Sequence, residues 1–447
     1  MTYTPIATQS RPGSDAYSGE RLVNYFARPA SGLSPAVLLA RGGLTARVEL
    51  YAEVRAMVEF GGALYVAAGG QLYRIIGSTA TAVGGIADGP TQMVSDARYI
   101  GIVAAGRYFV FDGTSVTSPD TGALTDPVGI AYLDGYFILI GTAGGRADGF
   151  TISGLDDPTT FGGLDFAFAE SAADPLVGAI TDHNELWLFG TRTVQPFYNA
   201  GAADFPILPN KGALVEHGCL LGGTIAKADN AVFWVRPDGK VARSFGSQPE
   251  WISTPEISDE IARSTITGGF TFSERGHEFY ALTRATGTTL VYDISTGLWH
   301  ERSAGLSYGP WQARNAIQVG GEWFFGCAGG QVATASEATY TDFGGDLLNE
   351  VESPLTTNKG DRFRVTRIHA DFAGGRVDLG RDPQVMLQTT RDGELWGLER
   401  WRDLGSLGAY KRRAVWHALG QFRQGAMRLR ITDPVQRDLI GVSVTYG

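Results

Sequence analysis

Ile130-Ala-Tyr-Leu-Asp-Gly-Tyr-Phe-Ile-Leu-Ile140 reads as an apolar run, a two-residue turn and an aromatic-rich run. The same phrase returns as Val58-Glu-Phe-Gly-Gly-Ala-Leu-Tyr-Val66, Ile180-Thr-Asp-His-Asn-Glu-Leu-Trp-Leu-Phe189 and Ile317-Gln-Val-Gly-Gly-Glu-Trp-Phe-Phe325. Gly-Gly, Asp-Gly and His-Asn tolerate the positive φ that a tight hairpin demands, so each copy predicts two antiparallel strands. A single hairpin is marginal in water. Several of one pattern in one chain predict radial repetition, hence a β-propeller.

The rest of the composition agrees with an all-β chain. There are 447 residues, enough for two or three domains, and 61 glycines without a collagen period, which implies many turns. Ile257 to Ser264 is the best short helical candidate. Strand groups begin near Ala56, Gln92, Val128, Leu176, Gly223, Gly269 and Ala316, most of them one four-stranded blade apart, and are read as running from the outside inward. Seven groups allow six or seven blades. The expected organisation is an N-terminal arm with a first strand (1–50), a propeller (51–344) and a C-terminal antiparallel β-sandwich-like domain (345–447). Polar Gln9 to Gly19 predicts that the first 20 or so residues order only against a neighbour. In the C-terminal part Arg362, Arg364, Arg367, Arg412, Arg413, Arg428 and Arg430 are expected on outer faces.

Charge is divided unevenly. From Asp346 onward the net is +3, whereas residues 1–345 carry −13. An acidic propeller disfavours phosphate gripping. No stretch is apolar enough for a membrane anchor, and the opening Met1-Thr-Tyr-Thr-Pro-Ile lacks the pattern of a signal peptide. Cys219 and Cys327 are the only cysteines, and they are expected as buried free thiols of a protein folded in a reducing cytoplasm.

No catalytic constellation stands out. Gly305-Leu-Ser307-Tyr-Gly309 has the letters of a nucleophile elbow, but Pro310 and a strand-like run replace the helix that the motif needs. Thr389-Thr-Arg-Asp392-Gly-Glu-Leu-Trp396 resembles the Asp-box turn of sialidase-like propellers with its spacing shortened, and reads as a structural hairpin. Asp156-Asp157 lies in a loop before Pro158. His183, His217, His277, His300, His369 and His417 are scattered without metal-ligand spacing. No catalytic residue, metal or cofactor is therefore assigned, and the tryptophans are expected mainly in cores.

Longer phrases resemble a known family, the tail nozzle proteins of short-tailed bacteriophages, also called tail hub or packaged-DNA stabilisation proteins. They are Glu20-Arg-Leu-Val-Asn-Tyr-Phe-Ala, Ser153-Gly-Leu-Asp-Asp-Pro-Thr-Thr-Phe, Glu185-Leu-Trp-Leu-Phe-Gly-Thr-Arg-Thr-Val-Gln-Pro-Phe-Tyr and Arg413-Ala-Val-Trp-His-Ala-Leu-Gly-Gln-Phe-Arg. The resemblance implies a non-enzymatic virion subunit, assembled in the host bacterial cytoplasm. It implies a ring, typically a hexamer, docked under the portal and its head-to-tail adaptor. Such a nozzle extends the DNA channel, lets DNA pass without specific binding and helps retain the genome until ejection. Tail fibre, spike or needle proteins are the further partners implied. Arg412 and Arg413 are the residues expected at a subunit or adaptor interface, because Arg pairs well with carboxylates across interfaces. The rival readings are a sialidase-like glycan hydrolase and a module that binds host-surface glycans.

Overall fold

The repeated turns have the geometry that their sequences demand. In the computed structural model, which describes residues 7–11, 19–30, 36–169, 174–202, 205–246, 248–376, 379–410 and 412–447, Asp134-Gly135 has φ of 48° and 89°, and His183-Asn184 has 45° and 61°. Both turns thus place two consecutive residues in the left-handed region, and the flanking strands pair directly, Leu133 with Tyr136 and Asp182 with Glu185.

These hairpins build seven four-stranded blades. Six are consecutive in sequence, spanning 54–85, 91–117, 124–168, 176–209, 226–251 and 266–302. The seventh contains Ala313–Val319, Glu322–Cys327 and Gln331–Ser336, and takes its outer strand from the other end of the chain, Gly43–Glu49. Each blade runs from the axis outward, the reverse of the expected direction. The reason is visible in the contacts, since the first strands of successive blades touch one another. Seven apolar clusters fill the seven gaps between blades. The gap between blades 4 and 5, for example, holds Trp187, Phe189, Val232 and Trp234. The helix α1, Pro255–Ala262, crosses one such gap. Thr254 caps it, Pro opens it, and Ile257 and Ile261, one turn apart, are buried.

The stretch 1–50 contributes four strands and more than an arm. They are β1 (Arg21–Val23), β2 (Tyr25–Pro29), β3 (Ala36–Ala40) and β4 (Gly43–Glu49). β4 closes the propeller. β2 and β3 form one sandwich sheet with Leu439–Tyr446, Phe363–Phe372 and Arg413–Phe422. β1 pairs with both Leu298–Arg302 of blade 6 and Asn349–Glu352, so blade 6 continues without a break into the other sandwich sheet. Ala7 and Ser10 are buried, and Ser10 exchanges hydrogen bonds with Leu22 through its hydroxyl. Here the structure differs from the expected loose arm, because burial and these bonds seat residues 7–11 against β1. The remainder of that expectation, on residues 1–6 and 12–18, lies outside the described residues. The sandwich core includes Trp416, Tyr25, Leu38, Leu387 and Val442.

Candidate functional site

The residues singled out in the sequence motifs, Ser307, Asp392 and Asp157, lie in loops. Ser307 is exposed in the loop between blades 6 and 7, with a strand on either side. Asp392 accepts hydrogen bonds from the amides of Glu394 and Leu395 and from the Thr390 hydroxyl. The Leu395 amide, that hydroxyl and the Glu394 amide hold its carboxyl below the ordinary range. Asp157 likewise ties the hydroxyls of Thr159 and Thr160 in its own loop. Cys219 and Cys327 are buried, and burial pushes their thiols up to about 11 and about 12, far from a reactive thiolate. Among the described residues no group of three His, Cys, Asp or Glu could hold a metal. Of the tryptophans, Trp234, Trp299, Trp311 and Trp416 are fully buried, whereas Trp251 and Trp401 reach the surface.

At the propeller axis, neighbouring first strands are stitched by single bonds. The Ser95 hydroxyl donates to Glu59 O at 2.8 Å, Ile130 N to the Gln92 side chain at 3.3 Å and the Thr181 hydroxyl to Tyr132 O at 2.7 Å. Lys227 pairs with Asp182 at 2.7 Å, Thr271 donates to Lys227 O at 2.9 Å and Asn315 to Val54 O at 2.9 Å. These bonds hold the first strands of the blades side by side around the axis.

The junction between propeller and sandwich is built differently, from buried charge. Arg21 on β1 grips Glu301 of blade 6 with two bonds, at 2.9 and 2.7 Å, and Thr288 donates to the same carboxylate at 2.5 Å. Burial alone would raise the Glu301 pKa, but Arg21, Thr288 and Arg284 outweigh it and keep the carboxyl below its ordinary value. Arg41 binds Asp342 at 3.0 and 2.6 Å, Arg302 binds Glu274 at 2.8 Å, and Arg275 binds Asp438 at 2.8 and 2.9 Å. Tyr308 and Arg430 share Glu350, and Arg428 reaches Glu352 at 3.1 Å. Arg428 and Arg430 thus face this joint, with side chains 15% and 22% exposed, and not the open outer face expected for them. The carboxylates of Asn349–Glu352, the strand paired beside them, draw them in.

Asn24 is the hub of the joint. It sits between β1 and β2 with φ of 59°, fully buried. Its amide donates to Glu301 O, and its carbonyl accepts from the Arg41 amide and the Asn349 side chain. Its side-chain oxygen accepts from Arg41 Nε and the Ser303 amide, while its Nδ2 donates to the Ser303 hydroxyl and Leu348 O. Asn is one of the few residues that tolerates this conformation and can also satisfy that many partners. The residues of the joint escaped the sequence reading because partners lie far apart in the chain, 280 positions for Arg21 and Glu301 and 301 for Arg41 and Asp342.

A third feature lies at the outer end of the sandwich. Arg412 and Arg413 are both exposed there and both paired within the subunit, Arg412 with Asp403 and Arg413 with Asp371. Nearby, the strand Arg400–Asp403 forms the last edge of the sheet that starts in blade 6. Trp416 donates its indole N–H to Arg400 O, and Arg402 donates to Val415 O, which locks the edge to the opposite sheet.

Comparison with known proteins covers the same two parts. A family model described as "Bacteriophage P22 Gp10, beta-propeller" matches residues 8–335, and one described as "Bacteriophage P22 Gp10, beta-sandwich" matches residues 350–447. No curated protein matches the sequence. Among solved structures, the chain is similar to the computationally designed Ika8 protein, at 15% identity over 71% of this chain and 100% of that one, with a TM-score of 0.41. It is similar to U3-55K at 9% identity over 64% and 91%, with a TM-score of 0.44. It is similar to BamB from Moraxella catarrhalis at 12% identity over 74% and 95%, with a TM-score of 0.39.

Proposed function

Because the chain belongs to the bacteriophage P22 Gp10 family and is therefore a structural protein of a phage tail, we propose that it is the nozzle subunit of that tail. In this reading several copies, six by the resemblance, form a ring beneath the head-to-tail adaptor. The ring extends the DNA channel and helps hold the packaged genome until ejection. It is a component of the virion and has no catalytic role.

The observation that carries the reading is the order and extent of the two family matches, propeller then sandwich, over nearly the whole chain. Physical features support it. The subunit's own axis is ringed by hydrogen-bonded first strands, and the reading places the conduit between copies. Residues 1–345, most of them propeller, carry net −13, which repels a polyanion and lets it slide, where a basic wall would bind phosphates. Arg412 and Arg413, exposed at the outer end of the sandwich, are proposed contacts to a neighbouring subunit or to the adaptor. Electron microscopy of the purified protein tests the reading. A ring with an axial opening of duplex width is expected. A protein that stays monomeric alone and with the adaptor, or one that cleaves glycans, would overturn it.

A further inference from the structure

The subunit has two poles of opposite character. The sheet that begins at the propeller axis with Ile266–Glu274 ends at Arg400–Asp403, five strand spacings beyond the outer strand of blade 6, or about 24 Å. The sandwich therefore projects from blade 6. Blade 3 lies three steps away around the propeller, the largest separation that a ring of seven allows.

The sandwich pole is apolar and carries Arg400 and Arg402 beside Glu399, which faces Arg430 at 3.7 Å. Leu398 is 91% exposed and Trp401 46%. Arg400, also exposed, has no carboxylate within ion-pair distance among the described residues. Among the described residues, Arg402 bonds to the carbonyls of Val415 and Trp401. The strand is an open edge, with a neighbour on one side.

The blade 3 pole is acidic and apolar. The loop 153–165 joins the two outer strands of that blade. It exposes Leu155 by 62% and Leu164 by 88%, each followed at once by an aspartate, Asp156 and Asp165, and lies beside exposed Asp134. Asp156 is paired with Arg98 at 3.0 Å. The loop is stiff: Gly154 N bonds Thr160 O at 2.9 Å, Asp156 N bonds Gly135 O at 2.8 Å, and the buried Tyr108 hydroxyl donates to Pro158 O at 3.1 Å. Two leucines held out on a stiff platform pay little ordering entropy on docking.

We propose that the 153–165 loop of one copy docks on the 395–402 edge of the next copy. The inference rests on the ring reading above and names the contact that closes it. The occupant is argued from charge, since the loop holds Asp156, Asp157 and Asp165 and no basic residue, whereas the edge holds Arg400 and Arg402 against Glu399. It is argued also from position, because two complementary patches at opposite poles make a head-to-tail contact, the kind that generates rings.

The test uses the full-length chain and two variants with exposed substitutions. One, Leu398→Asp with Arg400→Glu, disables the edge. The other, Leu155→Arg with Leu164→Arg, disables the loop. Sedimentation is expected to show self-association in the unaltered protein and at least about tenfold weaker association in each variant, with melting curves unchanged. Mixed one to one, the variants should form a heterodimer and nothing larger, because one intact loop then meets one intact edge. If both variants assemble like the parent, or if the mixture stays monomeric while the parent forms rings, the proposed contact is wrong and the ring reading stands. If the parent itself never assembles, with or without the adaptor, both fall.

Discussion

The propeller and the joint at its side solve the same problem, holding β-sheets together, with opposite chemistry. Between blades, apolar clusters fill every gap, and the axis is closed by mostly neutral, single hydrogen bonds. Between propeller and sandwich, ion pairs with buried partners meet around one asparagine. Apolar packing tolerates local loss, because each contact is small and neighbours relax around it. A buried charge whose partner is removed has nowhere to go. The joint is therefore expected to be the less forgiving region and the more dependent on pH.

The largest effect should come from Glu301→Ala, which removes a fully buried carboxylate from the largely buried Arg21 and from Thr288. A loss of about 3–5 kcal/mol is expected in urea denaturation. Replacing the pair together, Arg21→Met with Glu301→Leu, should recover most of it. A loss below about 1 kcal/mol for the single variant would show that water reaches the joint, and would erase the contrast. Asn24→Ala removes several buried bonds and places a side chain with no polar group at positive φ, and about 3 kcal/mol is expected.

The pH dependence sharpens the same contrast. His300 is buried, and burial, Arg302 and His277 all oppose its protonation, so its folded pKa lies well below 6.5. The unfolded chain takes up that proton near pH 6.5, so stability is complete above this value and falls as the pH drops below it. Glu301 in the joint, and Asp174 at blade 4 of the propeller, both held below their ordinary values, add to the loss at lower pH, below about 4.5 and 3.8 respectively. For Asp174 burial acts the other way, and the Thr191 hydroxyl with the amides of Arg192 and Thr193 prevails. Stability measured from pH 8 to about 2.5 should decline in that order, and His300→Phe should flatten the first part of the decline. A curve unchanged by His300→Phe would remove this residue from the account.

Smaller effects are expected in the propeller. Asn315→Ala cuts one axial stitch, and about 1 kcal/mol should be lost. A loss as large as that of Glu301→Ala would mean that the axis, and not the joint, is the fragile element. Cys219 and Cys327, with thiols pushed to about 11 and about 12, should resist alkylation at pH 8 until the chain unfolds. Rapid labelling of the native protein would show that the gaps between blades open readily.

What could be read from the sequence followed the same division. The hairpin phrase carries its own geometry, since Asp134-Gly135 dictates a turn and the flanking apolar residues dictate the strands. Repetition did the rest, and all seven strand groups fall on or beside a first strand of a blade. The joint has no such local signal. Glu20-Arg-Leu-Val-Asn-Tyr-Phe-Ala could be quoted as a family phrase, yet nothing within it says that Arg21 grips Glu301 or that Asn24 is a hub. Those roles depend on residues hundreds of positions away. Arg428 and Arg430 were misplaced for the same reason. Their alternation was legible, but the carboxylates that turn their face inward belong to another strand.

The closing of the seventh blade by β4 has a consequence for the order of events during synthesis. Residues 43–49 leave the ribosome early, but their partner, Gln331–Ser336, is nearly 300 residues behind. At about 5–20 residues per second, translation of that interval takes roughly 15–60 s. β3 waits longer still for Leu439–Tyr446. The nascent chain therefore carries an unfilled strand edge until residues 331–336 emerge, and residues 43–49 find their partner long after they are made. Exposed edges of this kind invite pairing with other chains. A nascent chain stalled before residue 331 should accordingly aggregate or recruit chaperones far more than one released whole, however well its first six blades have formed.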